Sequence, residues 1–154
     1  METRLLHDAD GQKSHAVILQ TGDEAMTCLQ DFARAQGITA AGFTAIGAFS
    51  RATLAYFDWQ TKTYLPIDID EQVEVASLTG DIALDPTGQA VVHMHAVLGR
   101  RGGAALAGHL QRGHVRPTLE VILTESPRHL RKTLDPATGL ALLTSGADPA
   151  LGQG

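Results

Sequence analysis

The sequence predicts an α+β fold: a single compact domain of mostly antiparallel, twisted sheet with one main helix. Three observations carry this. Only one stretch has a strong helical pattern. From Ile38 onward, β-branched and aromatic segments are broken by Gly, Asp and Pro at intervals of about ten residues. Finally, 154 residues with 44% hydrophobic content and no long polar tract supply one core and no second domain. Residues 1–144 are expected to form the domain, and 145–154 a frayed tail.

The elements follow in order. Met1 to Asp8 is a short apolar start, Asp8-Ala9-Asp10-Gly11 a turn, and His15 to Gln20 a buried strand. Thr21 with Glu24 three residues later has the form of a capping box. Ala25, Cys28, Leu29 and Phe32 make one apolar stripe, and Gly37 stops the helix. Strands are expected at 40–48, 50–58, 62–66, 71–85, 89–98, 114–125 and 130–134. The turn Asp85-Pro86-Thr87-Gly88 makes Ile82–Leu84 and Val91–His93 hairpin partners. Asp135-Pro136-Ala137-Thr138-Gly139 is a further turn, leading to an edge strand at 140–143. Gly42, Gly47, Gly80, Gly108 and Gly113 interrupt strand-like segments, which predicts bulges or close backbone approaches.

Composition narrows the function classes. No apolar run approaches the roughly 20 residues a bilayer-spanning helix needs, and no leader pattern is present. A single cysteine, Cys28, excludes an internal disulfide framework; its place in the helical pattern makes it buried filler. The chain therefore reads as soluble and cytoplasmic. Seventeen acidic against twelve basic residues give a formal charge of -5, which opposes binding to a phosphate backbone. Arg100, Arg101, Arg112 and Arg116 with His114 are the candidates for a local basic patch, or else a solvated rim.

Chemistry concentrates between His93 and His109. On a β-branched, apolar strand, His93 and His95 point the same way, with imidazoles about 6 to 7 Å apart. One metal ion can bridge that gap, as can simple solvation or hydrogen bonding of two strand histidines. The glycine-rich link Gly99 to Gly108 lets the chain double back and return His109 to the pair. His7, His15, His114 and His129 read as ordinary surface or core histidines. Tyr56, Asp58, Trp59 and Tyr64 read as cross-strand packing around a hairpin.

The motifs Glu74-Val75-Ala76-Ser77-Leu78-Thr79-Gly80, His93-x-His95, Gly108-His109-Leu110, Val115 and Thr118-Leu119-Glu120-Val121 resemble the PPC ("plants and prokaryotes conserved") family in its prokaryotic, stand-alone form. The helix and Ile46-Gly47-Ala48 fit as well, so the resemblance covers nearly the whole chain. It implies a compact α+β fold, a homotrimer, and a divalent metal, zinc before nickel or iron, held by His93, His95 and His109. The fold is also similar to that of acetolactate decarboxylase, a zinc enzyme with three histidine ligands. Plant members accompany AT-hooks and nuclear DNA binding. Here no Arg-Gly-Arg-Pro core occurs, and duplex DNA is not an expected partner.

Two uses of such a site stay open. In an enzyme of lyase or decarboxylase type, the ion polarises an oxygen of a small oxygen-rich metabolite and Glu120 moves the proton. Glu120 belongs to a row with Arg116, Thr118 and Ile122 on one strand face, a row that equally suits plain solvent exposure. Arg100, Arg101 or Arg116 would hold a substrate carboxylate. In a binding module, the ion is structural or binds a ligand, and partner proteins or, in a regulatory reading, DNA supply the function.

Overall fold

The computed structural model describes residues 1–126 and 130–144. His129 and the tail 145–154 lie outside the described residues. In order, the elements are β1 (Glu2–Ala9), β2 (Gln12–Gln20), α1 (Ala25–Gln36), β3 (Ala40–Asp58), β4 (Thr63–Ile69), β5 (Val73–Leu84), β6 (Ala90–Gly99), β7 (Ala105–Glu125), β8 (Lys132–Leu134) and β9 (Ala141–Leu143). Among the described residues this is the α+β architecture with one helix that the sequence predicts.

Seven strands form one antiparallel sheet in the order β1-β2-β7-β6-β5-β3-β4, and β7 also pairs with β3. That extra pairing closes β3, β5, β6 and β7 into a barrel-like ring. Alternation along each strand fills its inside: Phe49, Leu54, Leu78, Ile82, Met94, Leu98, Leu110 and Leu119 are almost wholly buried. Helix α1 packs Ala25, Leu29, Phe32 and Ala33 into the same core, with Cys28 half-buried beside them.

The helix begins differently from the expected capping box. Glu24 is itself the cap, accepting from the backbone N–H groups of Met26 at 3.2 Å and Thr27 at 2.9 Å. Its carboxylate also accepts from Gly113 N–H at 3.0 Å, which ties the helix start to β7. Thr21 lies outside and donates to the carbonyl of Pro117. Gly37 ends the helix in the left-handed conformation (φ 67°), as expected.

Four further expectations are corrected. Met1 to Asp8, expected only as a short apolar start, is a regular and exposed strand, because β1 pairs with β2 along its length. The strands expected at 40–48 and 50–58 are one, bent at register shifts around Gly47 and Phe49 where it crosses β7. β4 runs on past Pro66 to Ile69, because it is a sheet edge where a missing N–H breaks no pairing. Most consequentially, β7 begins at Ala105 rather than at His114, so the glycine-rich link shrinks to a turn at 100–104. Gly108 is not a turn residue. A Cβ there would stand 2.9 Å from the carbonyl of Ala55, so its lack of a side chain lets β7 lie against β3. The hairpin at Asp85–Gly88 is as expected, with Ile82 opposite Val92 and Ala83 opposite Val91.

Candidate metal centre

Met94, Ala96 and Leu98 point into the barrel, so His93 and His95, which alternate with them, are on its outer face. His109 reaches them by sheet register: it stands directly opposite His95 on β7. The three ligand-capable nitrogens lie within 4.8 Å of one another. The His93 and His109 rings are nearly parallel with centroids 5.1 Å apart, and His95 stands edge-on to both, at 5.1 and 5.5 Å. Nitrogens of a tetrahedral zinc centre are about 3.3 Å apart, a contraction that rotation of the rings supplies.

Neighbouring strands complete the surroundings. On β5, Asp81 faces His93 in register, and its Oδ2 lies 3.2 Å from His93 Nδ1. Its Oδ1 lies 2.9 Å from the ammonium of Lys132, which is only 6% exposed. Burial would raise the carboxyl pKa of Asp81. The hydrogen bond to His93 and the Lys132 ammonium outweigh it, and the group is held below the ordinary carboxylate range. On β4, Tyr64 lays its ring against His109 with centroids 4.8 Å apart, reaching over small, buried Ala55 on the intervening strand. His109 is thus flanked by Tyr64 and His93.

That packing has an electrostatic result. Burial first, then the charges of His93, His95 and Lys132, lower the pKa of His109 to about 4, and burial lowers that of His95 too. Both rings are therefore neutral near pH 7, the form that ligates metal. His109 Nδ1 is buried without a hydrogen-bond partner, a costly arrangement for a polar atom and one that an ion relieves. Three imidazoles, one orphaned nitrogen and a carboxylate behind one ring form a donor set that fits a divalent cation.

The other residues nominated by sequence lie elsewhere. Glu120 is exposed on β7, eleven residues beyond His109 on a strand that rises about 3.3 Å per residue. Its register neighbours are Ile18 and Ile46, and it lines a depression of about 540 Å³ with Ile46, Ala48, Glu74, Ala76 and Pro117. Like His109 it points outward, since Leu119 and Val121 on either side of it are buried, but it lies further along β7 and is not among the three clustered histidines. The expected row exists, with Arg116, Glu120 and Ile122 exposed, but it is a surface row. Arg100 pairs with Glu71 at 2.6 Å, beside Arg101 in the β6–β7 turn. Arg116 donates to Gln72 at 3.2 Å. None of the three arginines joins the cluster.

Of the residues read as ordinary, His15 is indeed a core histidine, 2.7 Å from Glu125 and edge-on to Phe32. Tyr64 does pack across the hairpin, on Phe57, but it also belongs to the site. Asp81 could have been found: extending the Ile82–Val92 pairing by one step places it opposite His93. Lys132 offers no such signal, because its position depends on how the last hairpin folds back.

Comparison with known proteins follows this geometry. The model of the Plants and Prokaryotes Conserved (PCC) domain matches residues 7–127. No curated protein matches the chain. Among solved structures, a metal-containing protein from Archaeoglobus fulgidus is similar at 29% identity and TM-score 0.79, covering 86% of this chain and 94% of that one. A plant- and prokaryote-conserved protein from Pyrococcus horikoshii is similar at 26% identity and TM-score 0.80, covering 95% and 96%. A presumptive DNA-binding protein from Bacteroides thetaiotaomicron is similar at 26% identity and TM-score 0.81, covering 92% and 96%.

Proposed function

Because the chain belongs to the Plants and Prokaryotes Conserved domain family, we propose that it is a metal-binding protein of that family, with one divalent ion at His93, His95 and His109. Zinc is the first choice, since neutral imidazole suits it, with nickel and iron as alternatives. The observation that carries the reading is the convergence of three imidazoles from two strands around an orphaned, buried ring nitrogen. The metal-containing relative from Archaeoglobus fulgidus supports it. Such an ion supplies Lewis-acid polarisation of an oxygen ligand, and three protein ligands leave room for one.

The site opens outward, since His95 is exposed, and a small oxygen-rich metabolite is the ligand class that suits it. The Tyr64 ring, which lies against His109, is the side chain outside the histidines placed beside such a ligand, whereas Lys132 is buried behind Asp81. Titration of metal-free protein with zinc tests the reading: one site per chain is expected, abolished in His95→Ala. Absence of binding, or unchanged binding in that variant, would sink it.

We also propose a homotrimer. Two sheet edges, β1 and β4, are open, and Ile46 and Ile122 are exposed on the barrel face. Light scattering checks this, and a monomer at micromolar concentration contradicts it.

The DNA-binding reading draws on the Bacteroides relative and on Arg112, His114 and Arg116, which share one face of β7 with Arg51 opposite His114. Asp68 and Asp70 line the same depression as Arg51 and Arg112, and the whole chain carries -5. Weak, salt-sensitive association is the expected limit. Nanomolar binding to a specific duplex at about 0.15 M salt would overturn that.

A further inference from the structure

The hydrogen bond behind His93 has a direction, and that direction decides which ring nitrogen is left for an ion. Asp81 lies between two groups: Lys132 Nζ, which forms an ion pair with the buried Oδ1 at 2.9 Å without the angles of a hydrogen bond, and His93 Nδ1, 3.2 Å from Oδ2. An ammonium only donates, and a carboxylate beside it is ionised and only accepts. His93 Nδ1 must therefore carry the proton of that bond, and in the neutral ring Nε2 keeps its lone pair. The lysine is held in place from its own side. At 6% exposure it is sealed from water, and β8 is pinned to the end of β5 by Leu84 N–H donating to the carbonyl of Leu130 at 2.8 Å. A lysine this buried is found only with a partner, and Asp81 is that partner.

We propose that Lys132 is a positioning residue for the histidine cluster: by holding one oxygen of Asp81, it commits the other to His93 Nδ1–H and so keeps His93 Nε2 free to ligate. The purpose of this arrangement rests on the metal reading above. Its test does not, because the tautomer exists in metal-free protein. One consequence is reciprocal. Docking of the β8–β9 hairpin, which brings Lys132, and binding at the histidines favour one another.

The discriminating variant is Asp81→Asn. Because Lys132 can only donate, the new amide must turn its oxygen to the ammonium and its NH₂ to His93 Nδ1. That ring nitrogen must then accept, and the proton moves to Nε2. Long-range ¹H–¹⁵N correlation spectra of histidine-labelled, metal-free protein at alkaline pH report the tautomer directly. The expected result is an Nδ1 proton on His93 in the wild type and an Nε2 proton in Asp81→Asn. In Asp81→Asn with Lys132→Met, where the amide is free to turn, the tautomer returns toward the wild-type form. Zinc affinity by chelator competition should follow the same order, falling about 10- to 100-fold in Asp81→Asn and recovering in the double variant. An Nε2 proton on His93 in the wild type overturns the proposal without need of any variant, as does an unchanged tautomer in folded Asp81→Asn. The expected tautomers in a protein that takes up no zinc would uphold the Lys132 assignment and overturn the metal reading alone.

Discussion

The two halves of β7 carry the two polar residues that the sequence nominates for chemistry, His109 and Glu120, and surround them in opposite ways. In the first half, His109 meets His95 and His93 on β6 and Tyr64 across β3, and one of its nitrogens is sealed without a partner. In the second half, Glu120 stands exposed between Ile18 and Ile46. Alternation along a strand tells which face a side chain takes, and both residues obey it. What a polar side chain can do there depends on what neighbouring strands bring in register, and only the first half gathers ligands, a carboxylate and an ammonium.

The comparison breaks most visibly through glycines. At Gly80, beside Asp81, an added Cβ would stand 2.4 Å from the Phe43 ring and 2.5 Å from the carbonyl of His93, so backbone must move. Gly80→Ala should cost about 3 kcal/mol, the upper end for overpacking, and disturb the histidine cluster. At Gly42, next to the Glu120 half of β7, a Cβ meets nothing within 4 Å. Gly42→Ala should change stability by less than about 1 kcal/mol. Urea unfolding compares them, and equal losses would mean that the two regions are equally tightly packed.

These differences also mark how far the sequence could be read. The helix stop at Gly37 and the hairpin at Asp85–Gly88 are legible because local chemistry dictates them. The face shared by His93 and His95 is legible for the same reason. The start of β7 is not: the close approach expected at Gly108 is found, but nothing in the run Gly99 to Gly108 marks where the turn ends and the strand begins. Gly102 and Gly103 adopt positive φ in a turn, whereas Gly108 makes room for a neighbouring strand. The surroundings of Glu120 are hidden for a related reason: a polar row on one strand face has the same pattern whether it borders a site or solvent.

A smaller effect sharpens the comparison through pH. In metal-free protein, burial holds the pKa of His109 down to about 4, whereas the unfolded chain takes up that proton near the ordinary imidazole value of about 6.5. The unfolded state therefore binds more protons in that window, and stability should fall as pH drops from about 6.5 toward 4, with no such contribution above it. His109→Phe should flatten that limb of a denaturation series, and Glu120→Gln should leave it unchanged. An identical slope in His109→Phe would show that His109 is not the group responsible. The smallest effect expected is that of Glu120→Gln on zinc affinity, within about twofold, because at eleven residues' distance an exposed charge is screened by salt. A loss of tenfold or more would place Glu120 at the histidines after all.

The central claim is that His93, His95 and His109 hold one metal ion, and elemental analysis of tag-free protein, beside the His93→Ala/His95→Ala double variant, tests it most directly. The account predicts about one divalent ion per chain in the wild type and almost none in a folded double variant. Full metal content in that variant, or none in the wild type even after exposure to zinc, would contradict it.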